Sequence, residues 1–395
     1  MNELKNKILG DAAYLTTLRR KLHQHPELGM QEFETAAIIE KELSHWGIWH
    51  KRIGATGVLG IIKGAREGGR RIALRGDIDA LPIHGQNDIE YHSKTDGVMH
   101  ACGHDAHTAC LIGAGKALQE RRELFGGEIR LIFQPGEEIG KGAMDFIQSG
   151  ALQGVERVFG LHTAVDLHVG TIGLTPKLNN AAVDHFSIQV YGKSAHVSTP
   201  QLGADALYIS CQTVIAIQAL VTRLTSPVEP VLIGIGKLHT GTAYNALAEF
   251  AQIEGTTRTI SQQTRMNIRQ KITQVAVETA NFYGGRAEII WTDICSALMN
   301  DSTVVQEVQA AVKQIDEKIT IIGNRELSLG GDNFSEFLQE IPGAYAYLGT
   351  ANPAKPETLE PAHNGKFNID EAALPIGAAL YAQYALWWLL QGGVT

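Results

Sequence analysis

Short apolar runs bounded by glycine recur in the first part of the chain, at 58–62, 72–75 and 129–133. Runs of that length read as buried strands. Apolar positions at helical spacing lie between or after them, as over 106–121. The opening stretch, from residue 2 to about 43, is helical in pattern and breaks near Pro26. Strands alternating with helices predict an α/β layer on a largely parallel or mixed sheet. The pattern changes near Asn180 and changes back near Ile294. Within that window it predicts strand 185–191, helix 204–224, strands 231–238 and 246–258, helix 261–282 and strand 287–291. That is the β-α-β-β-α-β order of a ferredoxin-like module. A helix over 303–313 and a strand over 344–348 then resume the first pattern. The expected fold class is α/β: one α/β domain, 1–180 with 295–395, split by an inserted ferredoxin-like α+β domain, 181–294.

Composition narrows the function classes. The 395 residues carry 34 basic and 42 acidic side chains, a net charge of −8, so no basic surplus points to nucleic acid or to an anionic membrane. A hydrophobic content of 44% supports a large core and excludes a disordered chain. Charges interrupt the N-terminal segment, which leaves no signal-peptide core. The most apolar stretch, 372–390, contains Pro375 and Gln383 and reads as a terminal helix on a core rather than a membrane span. The four cysteines, Cys102, Cys110, Cys211 and Cys295, make neither a CxxC pair nor a disulfide framework. The expected compartment is the cytoplasm.

Histidine is the residue type that changes the picture. Of 15 histidines, His84, His92, His100, His104 and His107 crowd one short segment. Histidine is the commonest metal ligand and the usual acid–base group near neutral pH. Common nucleotide and nucleophile motifs fail. Ser187 stands where a phosphate loop ending at Gly192-Lys193-Ser194 needs its first glycine, and Gly234-Ile235-Gly236 runs on to His239 instead of a third glycine. No HExxH and no GxSxG occurs.

Four segments carry metal-site chemistry. In Arg75-Gly76-Asp77-Ile78-Asp79, residues two apart share a strand face, so Asp77 and Asp79 point together at a strand's C-terminal end, where open α/β sheets bind ligands. In Cys102-Gly103-His104-Asp105, a thiolate and an imidazole two apart favour zinc or another late first-row metal, and Asp105 is placed to orient an imidazole. Gln134-Pro135-Gly136-Glu137-Glu138 offers two carboxylates leaving a strand in different directions. A hydrolytic site needs one to hold metal and one to take a proton from water, and spacing leaves open which does which. His162 and His363 are ligand candidates because the other motifs demand more ligands.

These motifs in this order resemble the M20 metallopeptidase family, and within it the amidohydrolase branch of hippurate hydrolases, N-acyl-amino-acid deacylases and auxin-conjugate hydrolases. The resemblance runs from Leu22-His23-Gln24-His25-Pro26-Glu27-Leu28 to Ile369-Asp370-Glu371. It implies a metal-dependent exopeptidase-like α/β catalytic domain with a lid or dimerisation insert. It implies two divalent metal ions (zinc, manganese, cobalt or nickel) held by Cys102, His104, Glu138, His162 and His363. By the same resemblance Glu137 is the general base, His196 stabilises the oxyanion, and Asn245 and Arg258 lie near the substrate carboxylate. Asp77, Asp79 and Asp105 support the ligands. The implied activity is hydrolysis of N-acyl-L-amino acids by a homodimer or tetramer, with dipeptidase or carboxypeptidase activity, or ligand binding without turnover, as alternatives. The family's Gly-x-Glu-Asp-Phe reads Gly331-Asp332-Asn333-Phe334 here, His-x-Pro reads His363-Asn364-Gly365, and Ala246-Leu247-Ala248 follows the lid asparagine in place of Ile-Pro-Asp or Ile-Ala.

Overall fold

A computed structural model describes residues 2–391. The described chain divides into two compact units, one of 2–179, 299–326 and 332–391, the other of 180–298 and 327–331. The first unit is built on an eight-stranded mixed sheet. At its centre, Gly126–Gln134, Arg66–Asp77, Arg157–His168 and Gly343–Ala351 run parallel side by side. Central parallel strands are buried on both faces and read as unbroken apolar runs. Ile129 to Phe133 is broken at one position: Ile129, Leu131, Ile132 and Phe133 are buried, and the single charged residue, Arg130, is buried with them. Trp49–Ile53 and Gly57–Lys63 extend the sheet antiparallel on one side. Thr171–Gly173 and Thr320–Ile322 complete the other.

Three helices precede the sheet, Asn2–Gly10, Ala12–Gln24 and Phe33–His45, so the opening pattern breaks twice rather than once. Glycine ends the first of them and Pro26 follows the second. The apolar Leu374–Gln391 helix packs against His104–Gln119 and Ser302–Ile315 in one core. Among the described residues two helices are long and apolar enough to cross a membrane, Ala206–Leu224 and Glu371–Leu390, and 83% of the second's most apolar stretch is buried inside the molecule.

The second unit places its strands in the order Arg286–Cys295, Ala182–Tyr191, Phe250–Thr259, Val231–Thr240, all antiparallel. With Ala206–Leu224 and Gln262–Phe282 on one face, this is the ferredoxin-like order. Ser261 caps the second helix, its hydroxyl accepting from the Thr264 N–H at 3.2 Å. The strand predicted from 246 begins only at Phe250. The intervening residues pair elsewhere: Leu247 N–H donates to the Ala195 carbonyl at 2.9 Å, and Ala246 bridges His196. The segment 327–331, with no signature in the sequence, joins this unit because Ala181 N–H donates to the Ser328 carbonyl and Gly331 lies against Cys295 and Val183.

Candidate metal centre

The parallel strands aim their C-terminal ends at one place. Asp77 ends Arg66–Asp77, Gln134 ends Gly126–Gln134 with Glu137 and Glu138 just beyond, and His162 lies at the middle of Arg157–His168. His104 opens the helix His104–Gln119. The turn into that helix requires Gly103. Its φ is +92°, and a Cβ there would meet the Thr163 Oγ1 at 2.2 Å. That hydroxyl donates to the Cys102 carbonyl at 3.1 Å, fixing the backbone between the two candidate ligands.

Among the described residues four groups of three donors could hold an ion; His104, Glu137 and Glu138 form one, and two others share Cys102. Cys102, His104 and His162 bring their ligand atoms within 4.8 Å of one another, and so do Cys102, Glu138 and His363. Cys102 belongs to both, so one thiolate can face two ions. Cys102 Sγ lies 3.3 Å from His162 Nε2, and His363 Nε2 lies 3.4 Å from Glu138 Oε2. His104 Nε2 lies 3.8 Å from Glu138 Oε1, and both of these buried atoms lack a hydrogen-bond partner. Buried polar atoms are nearly always paired, so two orphans facing each other mark the place of a missing partner. The residues present therefore fit a pair of divalent transition ions, with mixed sulfur, nitrogen and oxygen donors. Charge agrees: the Asp332, Asp77 and Glu137 carboxyls crowd one buried guanidinium, Arg75.

The supporting contacts set which ring nitrogen is free. His104 Nδ1 donates to the Asp79 carbonyl at 2.9 Å and lies 3.2 Å from Asp79 Oδ1, leaving Nε2 for metal. Asp79 Oδ2 also accepts the Glu138 N–H at 3.0 Å, so one carboxylate orients two candidate ligands. His162 Nδ1 donates to the Thr163 carbonyl at 2.7 Å, again freeing Nε2. Asp77, His104 and His107 also cluster, but this group is not a metal site. Asp77 Oδ1 accepts from His107 Nδ1 at 2.5 Å and Oδ2 from Arg75 at 2.7 Å, while His107 Nε2 accepts the Thr163 N–H at 2.8 Å. Both Asp77 oxygens and both His107 nitrogens are thereby used, and the pair buttresses the strand carrying His162.

Asp105 does not touch the centre. Its Oδ2 meets Arg19 Nε at 2.9 Å and His23 Nδ1 at 2.7 Å. Successive residues on a helix point about 100° apart, so Asp105 turns away as His104 turns in. The imidazole it orients is that of His23. His100 is buried with neither ring nitrogen partnered, and burial pushes it down to about 3, so it stays neutral. His363 sits at φ +62°, an uncommon conformation for a non-glycine residue, with its N–H donating to the Ala101 carbonyl at 2.7 Å.

Protonation separates the two adjacent glutamates. Burial, then Asp332 and Glu138, push the Glu137 carboxyl well above its ordinary range. Burial also works against the Glu138 charge, but His363 and His104 outweigh it and hold Glu138 below the usual range. Burial and His107 bring His162 down to about 4, which leaves it neutral and ready to ligate. Burial disfavours a charged His104, yet Asp77, Asp79 and Cys102 raise it well above its ordinary value. Burial and Glu138 raise Cys102. Metal binding therefore displaces protons from His104 and Cys102.

Within the altered segment 331–334, Asn333 lies directly against Glu137. Asn333 N–H donates to Glu137 Oε1 at 3.3 Å. Its Oδ1 accepts from Gln134 at 2.7 Å and from Arg75 at 3.3 Å, and its Nδ2 donates to the Lys141 carbonyl at 2.8 Å. The amide thus ties both ends of the loop that carries Glu137. Asp332 accepts from Tyr345 Oη and lies 3.3 Å from Arg75.

The remaining predicted residues belong to the second unit. His196 is exposed, and its Nδ1 accepts the Ser198 N–H at 3.2 Å, which places the ring proton on Nε2. Asn245 is exposed. Arg258 is half-buried, and burial lowers its guanidinium from the ordinary value.

Residues 73–387 match the family described as Peptidase family M20/M25/M40. The chain is 38% identical over 361 residues to an N-acetyl-L-cysteine deacetylase of Bacillus subtilis, covering 91% of this chain and 84% of that one. It is 36% identical over 391 residues to thermostable carboxypeptidase 1 of Saccharolobus solfataricus, covering 98% of each. Among solved structures, a Bacillus subtilis protein described as a dinuclear metal binding peptidase from the M20 family superposes with a TM-score of 0.82 at 35% identity, over 96% of this chain and 99% of that one.

Proposed function

Since the chain belongs to peptidase family M20/M25/M40, we propose that it is a metal-dependent amidohydrolase that cleaves N-acyl-L-amino acids into a carboxylic acid and a free amino acid. The observation that carries this reading is the pair of donor triads sharing Cys102 beside the Glu137 carboxyl, which burial and the neighbouring Asp332 and Glu138 push well above its ordinary range. A closed structural site would use four ligands and keep no spare base.

Cys102, His104, Glu138, His162 and His363 would hold two divalent ions. When bound, the ions polarise the amide carbonyl and acidify the attacking water. Zinc, manganese, cobalt and nickel all suit this donor set. Glu137 takes the proton of the attacking water and passes it to the leaving nitrogen. Its raised affinity for a proton suits both transfers. Asp79 keeps His104 and Glu138 in place. His196 donates from Nε2 to the developing oxyanion. Asn245 hydrogen-bonds the substrate's α-carboxylate, and Arg258 pairs with it through its planar fork.

The protein works as a homodimer or tetramer through its second unit. Support comes from the Ala206–Leu224 helix, where Leu207, Cys211 and Ile215 stand exposed at four-residue spacing, and from the open edge of Val231–Thr240. An oxidisable thiolate ligand suits the reducing cytoplasm.

The carboxypeptidase relative, matched over 98% of both chains, favours a second reading in which dipeptides are the substrates. A panel on the metal-reconstituted protein separates the two. N-acetyl and N-benzoyl amino acids should be cleaved with kcat/KM at least about tenfold above any dipeptide. The reverse order would establish the peptidase reading, and a protein inert across the panel would point to binding without turnover.

A further inference from the structure

Glu32 lies outside every motif noted in the sequence, yet it is a fully buried carboxylate. Burying a carboxylate is costly unless its lone pairs are filled. Three donors fill them here. Oε1 accepts the Met30 N–H at 2.9 Å and the Gly136 N–H at 2.8 Å, and Oε2 accepts the Thr56 hydroxyl at 2.7 Å. The side chain leaves a fixed point, the start of the Phe33–His45 helix, where the Glu32 carbonyl accepts the Ala36 N–H at 3.0 Å.

Gly136 is the residue before Glu137 and Glu138. Its φ is +62°, and that of Met30 is +66°, so a single carboxylate oxygen ties together two left-handed residues of distant segments. A Cβ at Gly136 would lie 2.9 Å from Met30 Sδ, so the approach is close as well as strained. Any rotation of the backbone at Gly136 swings both glutamates that follow. Asp79 holds the Glu138 N–H and Asn333 touches Glu137 from other directions; the Gly136 carbonyl accepts the Lys141 N–H at 2.8 Å within the loop, and the Gly136 N–H is held from outside the loop by Glu32.

We infer that Glu32 is a positioning residue for the reaction, setting through Gly136 the placement of Glu137 and Glu138. What it contributes is reach and acceptor geometry, not charge. This rests on the reading of Glu137 as base and Glu138 as ligand. Misplacing a reacting group by about 1 Å can cost about a hundredfold in rate.

Two substitutions separate reach from charge. Glu32→Asp keeps the carboxylate but withdraws it by about 1.5 Å, one carbon–carbon bond. Glu32→Gln keeps the reach: its Oε1 can accept both N–H groups while Nε2 donates to the Thr56 hydroxyl. Steady-state kinetics with an N-acyl amino acid in saturating metal, with thermal unfolding run alongside, is the test. Glu32→Asp should lose about tenfold to a hundredfold in kcat with KM changed less than about twofold, and Glu32→Gln should keep kcat within about threefold. The inference is overturned by a fully active Glu32→Asp, or by a Glu32→Gln as impaired as Glu32→Asp. A Glu32→Asp protein that no longer folds overturns it too, because the residue would then support the domain rather than the loop. Turnover by Glu137→Gln would defeat the underlying reading, whereas an inert Glu137→Gln beside an active Glu32→Asp defeats this inference alone.

Discussion

Glu137→Gln should lose about 10³-fold or more in kcat, toward the upper end of what a general acid–base group supplies, while the protein keeps its metal. The amide is nearly isosteric and its oxygen can still accept the Asn333 N–H, so the loop stays in place. What disappears is the proton carrier between water and the leaving nitrogen. Metal should remain because Glu138 approaches both imidazoles, His104 at 3.8 Å and His363 at 3.4 Å, and is untouched by the change. KM should shift by less than about threefold, since an interaction used only in the transition state lowers kcat and kcat/KM together. Turnover within tenfold of the parent would transfer the base role to another group. Lost metal would make Glu137 a ligand.

Much of this centre is legible in the sequence, for a physical reason. Candidate site residues that leave parallel strands at their C-terminal ends fall in short strings soon after apolar runs, as with Asp77 after 72–75 and Glu137 and Glu138 after 129–133. The division of labour between Glu137 and Glu138 is not legible, because it depends on His363 reaching Glu138 from more than 200 residues away. Asp105 shows the opposite error. Adjacent to a ligand in sequence, it faces Arg19 and His23 because helical geometry turns it aside. Glu32 has no periodic or motif signature; its significance lies in one backbone N–H, that of Gly136, in a segment remote in sequence. Residues 327–331, Leu-Ser-Leu-Gly-Gly, are too short to show a period, and join the second unit through backbone pairing that no side-chain pattern announces.

Arg75→Met should destabilise the first unit by about 3–5 kcal/mol, the cost of leaving buried charges without their partner. The Arg75 side chain is fully buried, donating to Gln134 at 2.9 Å, Asp77 at 2.7 Å and Asn333 at 3.3 Å, with Asp332 also at 3.3 Å. Methionine fills similar volume but strands Asp77 and Asp332. Domains are stable by only about 5–15 kcal/mol, so this is a large share of the total. The loss should spread to the centre, because Asp77 orients His107, which holds the Thr163 N–H beside His162. Arg75→Lys should recover only part of it, since one ammonium cannot reproduce the fork. Urea unfolding is the measurement. A loss below about 1 kcal/mol would show that the buried carboxylates are neutral or relax without the guanidinium.

The account's central claim is that this donor cluster makes amide hydrolysis depend on two divalent ions. The most direct test is to strip the protein with a chelator, titrate back one divalent metal, and follow release of the amino acid from an N-acyl amino acid. The rate should be negligible in the stripped protein, rise with added metal and saturate at two equivalents per chain. Undiminished turnover in metal-free protein, or no turnover at any metal loading, would contradict it.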